Sequence, residues 1–255
     1  MKRQTYDILE VGKNNRFFVK GSDGQIMCVH NCGYGASAGK FAELMKQQGL
    51  AEQADMAEDL ITTYRTANNR ISRFWRECDR VLDVMYAGGS MWFGGANNDL
   101  FFADGSSVFH GKKIPSIRLP NGTYLFYQNL RKEAGDDGRV NYVYDQFKGR
   151  SWLPKRIWGS AFFENLTQSL SFVILKHQAT LIAKAGVPIN LNVHDEWVSV
   201  VPREQAPYAV ATHYRCMRSV PDYIPAGLLD CEVDVGWNYA DLKTINVKKY
   251  LGDNP

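Results

Sequence analysis

The sequence predicts an α+β chain on three observations. Apolar residues recur at three- and four-residue steps from 51 to 86, the signature of helix. A second long helical stretch runs from about Lys155 to Lys184, closed by Gly186 and Pro188. Between Gly88 and Tyr144 the pattern turns to short strand-forming runs, including "SIRLPNGTYLFYQ", whose Asn-Gly is a strong hairpin signal. Long helices on an antiparallel sheet make an α+β architecture.

The bulk numbers bound the answer. With 255 residues and 45% apolar composition the chain can bury one large core or two smaller ones. No run of about 18 apolar residues occurs, so no membrane span or membrane partner is expected, and "MKRQTYDILE" lacks the apolar stretch of a signal peptide. The five cysteines are scattered apart from Cys28 and Cys32, and fit neither a disulfide scaffold nor a zinc site. A cytoplasmic setting with free thiols is expected. Net charge is +3; residues 1–31 hold five Lys/Arg against three Asp/Glu, which leaves 25 against 24 for the remainder. Binding to nucleic acid must therefore come from local basic patches.

Taken in order, "TYDILEV" and "RFFVK" read as strands around the turn "GKNN", and "QIMCV" as a further strand. This β material is too short to fold alone. "KFAELMKQQGL" is helical, and after Gly49 one helix is expected to run from 51 to 86, with Ile61, Tyr64, Ile71, Phe74, Trp75, Cys78, Leu82 and Met85 as its core stripe. "EAGDDGRV" is a polar turn. Beyond the helix that ends near Lys184, "INLNVHDEWVSVV" offers two strands around a tight acidic turn. "REQAPYAVATHYRCMRSV" is a last helix and "CEVDVGWNYADL" a last strand.

The acidic turn carries the most chemistry. His194, Asp195 and Glu196 sit between two apolar strands. Adjacent carboxylates repel unless a cation offsets them, and hard divalent ions take oxygen ligands of this kind. Three residues alone fit a solvated polar turn better than a metal site. Asn165 and Gln168, three apart on a helix, share a face; they are of the type that reads minor-groove acceptors, or are plain surface polarity.

Five stretches in order resemble family A DNA polymerases of the phage type. These are "CGYGASAGKFAELMK", "RLPNGTYLFYQNL", "GSAFFENLTQSLSFVIL", "NVHDEWVSV" and "VDVGWNYADL", covering residues 32 to about 242. The resemblance implies the fingers remainder over 32–87 and the palm of a right-hand polymerase over 88–255. It implies template-directed nucleotidyl transfer for phage DNA replication, with primer–template DNA and dNTPs as partners. Asp195 is then a ligand in a two-metal Mg2+ site, Glu196 a supporting carboxylate, and His194 a neighbour of the primer terminus. Tyr34, Gly35, Glu164, Asn165 and Gln168 would contact nucleotide or DNA. A second palm aspartate and the Arg and Lys of the first half of the fingers helix are missing. In their place before Cys32 stands "DGQIMCVHN".

That substitution explains the Asn-Cys junction. Residues 1–31 followed by Cys32 resemble the C-terminal end of an intein, part of a Hint-type all-β fold. The carriers are the Tyr-Asp strand, the Phe17–Phe18 pair and the closing Val-His-Asn-Cys. Asn31 would attack its own following peptide bond to form a succinimide, with His30 as acid/base. The Cys32 thiol would first accept the upstream segment as a thioester. Asn14 and Asn15 stand where many inteins carry His or Asp. Since the pattern begins close to Met1, a split intein is expected. Its partner would be a separate polypeptide carrying the N-terminal polymerase fragment and the N-terminal intein segment, in the cytoplasm of a phage-infected bacterium. The isolated chain is expected to be inactive as a polymerase. A non-splicing two-chain assembly, with residues 1–31 as a docking module, and a stand-alone metal-dependent hydrolase are the rival readings.

Overall fold

The computed structural model describes residues 18–20, 26–28, 35, 37–47, 49, 51–135, 138 and 140–252. Mixed α+β architecture is observed, in two compact units. The first contains the described residues up to Arg118 together with Tyr124–Leu166; the second contains Leu119–Thr123 and the described residues from Thr167 on. His30, Asn31 and Cys32, and Tyr34 with them, lie outside the described residues, as does the first expected strand.

The first unit opens with a short antiparallel pair, β1 (Phe18–Lys20) and β2 (Ile26–Cys28), in the register Phe18 to Cys28. Helix α1 (Ala38–Gln47) starts where Ser37 caps it: Ser37 Oγ accepts from Lys40 N–H at 3.2 Å, and its carbonyl accepts from Phe41 N–H at 2.9 Å. A 3-10 turn over Ala51–Met56 leads into α2 (Ala57–Ala67). Phe41, Leu44 and Met45 of α1 bury against Ala57, Leu60 and Ile61 of α2.

The single helix expected over 51–86 is interrupted. Asn68, at φ −111 and ψ 45, ends α2 with its backbone N–H on the Tyr64 carbonyl, and α3 (Asn69–Tyr86) starts after it. Its side-chain amide also donates to the Tyr64 carbonyl, at 3.0 Å. Asparagine bonds local backbone in this way, which favours an interruption over continued helix. Of the expected stripe, Ile61, Trp75, Cys78, Leu82 and Met85 are buried, joined by Val81, while Tyr64, Ile71 and Phe74 are half-buried. Each fully buried apolar side chain of this size contributes about 1.5–3 kcal/mol.

A four-stranded antiparallel sheet follows in the order β3 (Ser90–Phe93), β4 (Phe101–Asp104), β7 (Ser116–Arg118), β8 (Tyr124–Phe126). A minor pair, β5 (Val108–Phe109) and β6 (Lys112–Lys113), fills the connection between β4 and β7. Rings of Phe74, Phe93, Phe101, Phe162, Tyr127 and Tyr144 form a connected aromatic core, with centroids 5.2–6.3 Å apart. The Asn-Gly hairpin is present, but in a five-residue loop. Gly122 N–H donates to the Leu119 carbonyl at 2.9 Å, so Pro120 and Asn121 are the central turn residues. Proline at the first central position favours such a turn.

A second, three-stranded sheet has the order β11 (Ser151–Ile157), β10 (Val140–Lys148), β9 (Gln128–Ala134). Of the "EAGDDGRV" stretch, Glu133 and Ala134 end β9, Val140 starts β10, and Gly138 N–H donates to the Gly135 carbonyl at 2.9 Å; residues 136, 137 and 139 lie outside the described residues. Strand β11 was not expected, because the helix was read from about Lys155. Pro154 lacks an N–H and is tolerated in β11 because the strand is an edge.

Helix α4 (Gly159–Lys184) is the one element shared by both units. At its start, Gly159 N–H donates to Asp79 Oδ1 at 2.5 Å. A Cβ on Gly159 would collide with the Trp75 carbonyl oxygen, so only glycine lets α4 approach α3 here. At its end Gly186, at φ +79, turns the chain left-handed, and the Val187 and Gly186 amides close onto Ile182 and Ala183.

In the second unit, β12 (Leu191–Val193) pairs with β13 (Glu196–Val198), and a 3-10 turn at Arg203–Gln205 leads into α5 (Ala206–Met217). Ile182, Val187, Ala209 and Cys216 form its core, with Trp197 and Val201 packed against them. Gln178 is 2% exposed, and its Nε2 donates to the carbonyls of Met217 and Ser219 at 2.6 and 3.2 Å. The last strand is much shorter than expected: β14 (Asp234–Val235) pairs only with β15 (Lys243–Thr244), around a 3-10 turn at Tyr239–Asp241. A final turn of helix, α6, spans Val247–Leu251.

Candidate functional site

The acidic turn is built as a two-residue hairpin. Val193 pairs with Glu196, so His194 and Asp195 alone form the loop. His194 adopts φ +52, a left-handed conformation that non-glycine residues visit seldom. The loop is held from within: Asn192 Nδ2 donates to the carbonyls of His194, at 3.2 Å, and Glu196, at 3.0 Å. His194, Asp195 and Glu196 are all exposed, so their side chains are available to a ligand.

Glu196 is oriented by the C-terminal region, where Tyr239 OH donates to Glu196 Oε2 at 3.0 Å. The sequence reading expected residues 231–242 to be a strand and missed this residue. The signal was the aromatic-rich "GWNY", since a tyrosine hydroxyl near a carboxylate donates readily. Nearby, the Arg203 guanidinium lies 5.6 Å from the Trp237 ring centroid.

The base of the hairpin is fixed by a relay that sequence reasoning also missed. Ser199 Oγ donates its proton to the Pro188 carbonyl at 2.5 Å and lies 2.7 Å from His213 Nε2. With that hydroxyl proton committed, His213 must donate from Nε2. Burial holds the His213 imidazole below its ordinary pKa, which suits a neutral ring in this role. The Val200 amide donates to Asn190 Oδ1 at 2.7 Å, closing the same end.

The remaining expected site residues fall as follows. Glu164 and Asn165 are half-buried on α4 in the first unit, and Asn165 Nδ2 lies 3.5 Å from Tyr127 OH, a long contact. Tyr127 is buried among rings, and that burial raises its phenol above the ordinary range. Gln168 is exposed on α4 in the second unit. Gly35 has φ +75 and faces the first turn of α4, where a Cβ would collide with Ser160 Oγ. Thus the structure groups His194, Asp195 and Glu196 with Tyr239 in the second unit. Glu164, Asn165 and Gly35 belong to the first.

Among the described residues no group of three or more His, Cys, Asp or Glu gathers to hold a metal ion. The carboxylates of Asp195 and Glu196 are of the right hard-oxygen chemistry for a divalent ion. They are too few to hold one alone.

The chain is similar to a DNA polymerase of Bacillus phage SP02. The two are 24% identical over 174 residues, which make up 67% of this chain and 25% of the phage protein. The match thus spans about a quarter of that polymerase's length. No protein-family model matches the chain, and no solved structure matches it. No helix among the described residues is long and apolar enough to cross a membrane.

Proposed function

We propose that this chain is the C-terminal part of a phage DNA polymerase of family A, made as a precursor behind the C-terminal piece of a split intein. The observation that carries the polymerase reading is similarity to a phage DNA polymerase over two thirds of the chain, in a protein that presents Asp195 and Glu196 on an exposed two-residue hairpin.

In this reading Asp195 and Glu196 would hold Mg2+ together with carboxylate ligands from the missing half. Bound there, the ion would polarise the reacting phosphoryl group and stabilise charge on the attacking and leaving oxygens. The chain's own residues do the positioning. Asn192 fixes the loop backbone, Tyr239 holds one oxygen of Glu196, and the Ser199–His213 bond anchors the strand that follows. Asn165 and Gln168 would face the primer–template minor groove, and Tyr34 and Gly35 the nucleotide, while His194 sits by the primer end.

The intein reading is supported by the sequence Val29-His30-Asn31-Cys32 and by its place where a polymerase fingers helix would be interrupted. Cys32 Sγ takes the upstream acyl group as a thioester, breaking that group's ester or thioester bond to the first nucleophile of the N-terminal intein segment, which leaves and takes up the proton lost by the Cys32 thiol. Asn31 then closes its side-chain nitrogen onto its own carbonyl carbon, breaking the bond to Cys32, with His30 moving the proton. The freed Cys32 amine displaces the thioester and leaves a peptide bond.

The test is intact mass and primer extension after mixing the chain with the upstream polymerase fragment that carries the N-terminal intein segment. A species equal to both halves less both intein pieces, active in extension with Mg2+, is the expected result. Co-elution and extension without a new mass would make residues 1–31 a docking module. Absence of extension from either form would overturn the polymerase reading.

A further inference from the structure

We infer that the β10–β11 hairpin is a binding surface for single-stranded nucleic acid, separate from the acidic turn. Every residue from 146 to 156, "QFKGRSWLPKR", is exposed, so this half of the hairpin stands in solvent on both faces. The run carries four cations, Lys148, Arg150, Lys155 and Arg156, and no acid. None of the four takes part in an ion pair among the described residues. Asp145, a carboxylate of the same hairpin, is already engaged by Arg131 at 2.8 Å and Asn129 at 3.0 Å.

Set among these cations are large apolar side chains that remain about half exposed. Phe147 is 58% exposed, Trp152 55% and Leu153 48%. Phe147 and Trp152 are cross-strand partners with ring centroids 5.3 Å apart, so they hold each other in place. An exposed aromatic pair of fixed geometry amid unpaired cations is what an unpaired strand needs. Bases stack on the rings, and phosphates meet the lysines and arginines.

Charge placement argues for this occupant over two others. A membrane-binding element segregates its apolar side chains on one face and its cations on the other. Here the register interleaves them: Trp152 shares its face with Arg156, and Leu153 shares its face with Lys148 and Lys155. A second copy adding to the β11 edge would meet Pro154, which offers no N–H, and the like charges of Lys155 and Arg156. Binding at this hairpin does not depend on the polymerase reading, and either could fail without the other.

Anisotropy of a fluorescein-labelled 20-mer oligothymidylate, titrated with the full-length chain over a range of salt, tests this. Trp152→Ala should weaken binding about five- to a hundredfold, and Trp152→Phe should restore most of it. Lys148→Ala with Arg150→Ala should flatten the slope of log K against log salt by about 1.4. Lys248→Ala with Lys249→Ala, an equal charge loss on α6, should leave that slope nearly unchanged. Parental affinity in the Trp152 and Lys148/Arg150 variants would overturn the inference. So would absence of oligothymidylate binding, including the case where the chain binds phosphatidylserine vesicles instead.

Discussion

Gln178→Ala tests whether a side chain from α4 serves as the cap of α5. The terminal carbonyls of a helix lack intrahelical donors. Gln178 supplies donors to two acceptors there, the Met217 and Ser219 carbonyls, from a position 2% exposed. If water replaced both bonds the loss would be about 1 kcal/mol each; if the carbonyls stayed dry, up to about 3 kcal/mol each. The burial of Gln178 leaves little room for water, so about 2–5 kcal/mol is expected in total. Amide exchange of peptides from α5, read by mass spectrometry, reports this locally. Exchange should accelerate roughly thirtyfold to a few thousandfold, at tenfold per 1.4 kcal/mol. Gln178→Glu sharpens the test. Only the protonated acid can donate, and burial disfavours the charge, so the folded pKa of the new group rises above its unfolded value of about 4.3. Its stabilising contribution is then present below that value and lost as pH rises through the folded pKa. Less than about 1 kcal/mol lost in the alanine variant, or a glutamate variant as stable as the parent at pH 7, would refute the capping role.

Four further outcomes are expected. His213 should titrate by NMR below its ordinary value, and because burial depresses the folded pKa, the stability it contributes is present above the unfolded value of about 6.5 and lost as pH falls through the folded one. Cys78, Cys216 and Cys231 should resist iodoacetamide at pH 8 in the native chain and react after unfolding; Cys231, pushed up to about 11 by burial and by Asp230, holds roughly one thiolate in a thousand there. Gly105→Ala places a Cβ on the Met85 carbonyl oxygen, and should cost at least about 2 kcal/mol by urea denaturation or leave the chain insoluble. If the proposed joined polymerase forms, Tyr239→Phe in it should raise the Mg2+ concentration for half-maximal primer extension about tenfold, because Glu196 loses its orienting donor.

What could be read from sequence was whatever lay in short-range pattern. The stripe from Ile61 to Met85 and the hairpins around Asn121 and Asp195 are set by neighbours a few residues apart. The interruption at Asn68 was not legible, since it is one polar residue inside an otherwise helical period. Strand β11 was missed because "SWLPKRI" has no alternation: six of its seven residues are exposed, so neither face is marked by a core. Of the candidate site, the acidic pair was visible and its support was not. Tyr239 reaches Glu196 across 43 positions, and Gln178 reaches Ser219 across 41, distances over which a lone sequence carries no periodicity. Gln168 and Gln178 lie on one helix in similar company, yet one is exposed and the other buried. Only the packing of α5 distinguishes them.

The small core shared by α1 and α2 has a kinetic consequence. All its members lie between Phe41 and Ile61, so no contact in it closes a loop of more than twenty residues. Contacts this local form early, because little chain entropy is spent before they reward it. Helix growth and closure of such loops take on the order of microseconds or less. The segment that begins six residues after Asn31, at Ser37, can therefore collapse on its own timescale, without the long-range pairings that the sheets require. On the proposed route to a joined polymerase, the arriving half would meet a chain in which the α1–α2 core had already formed.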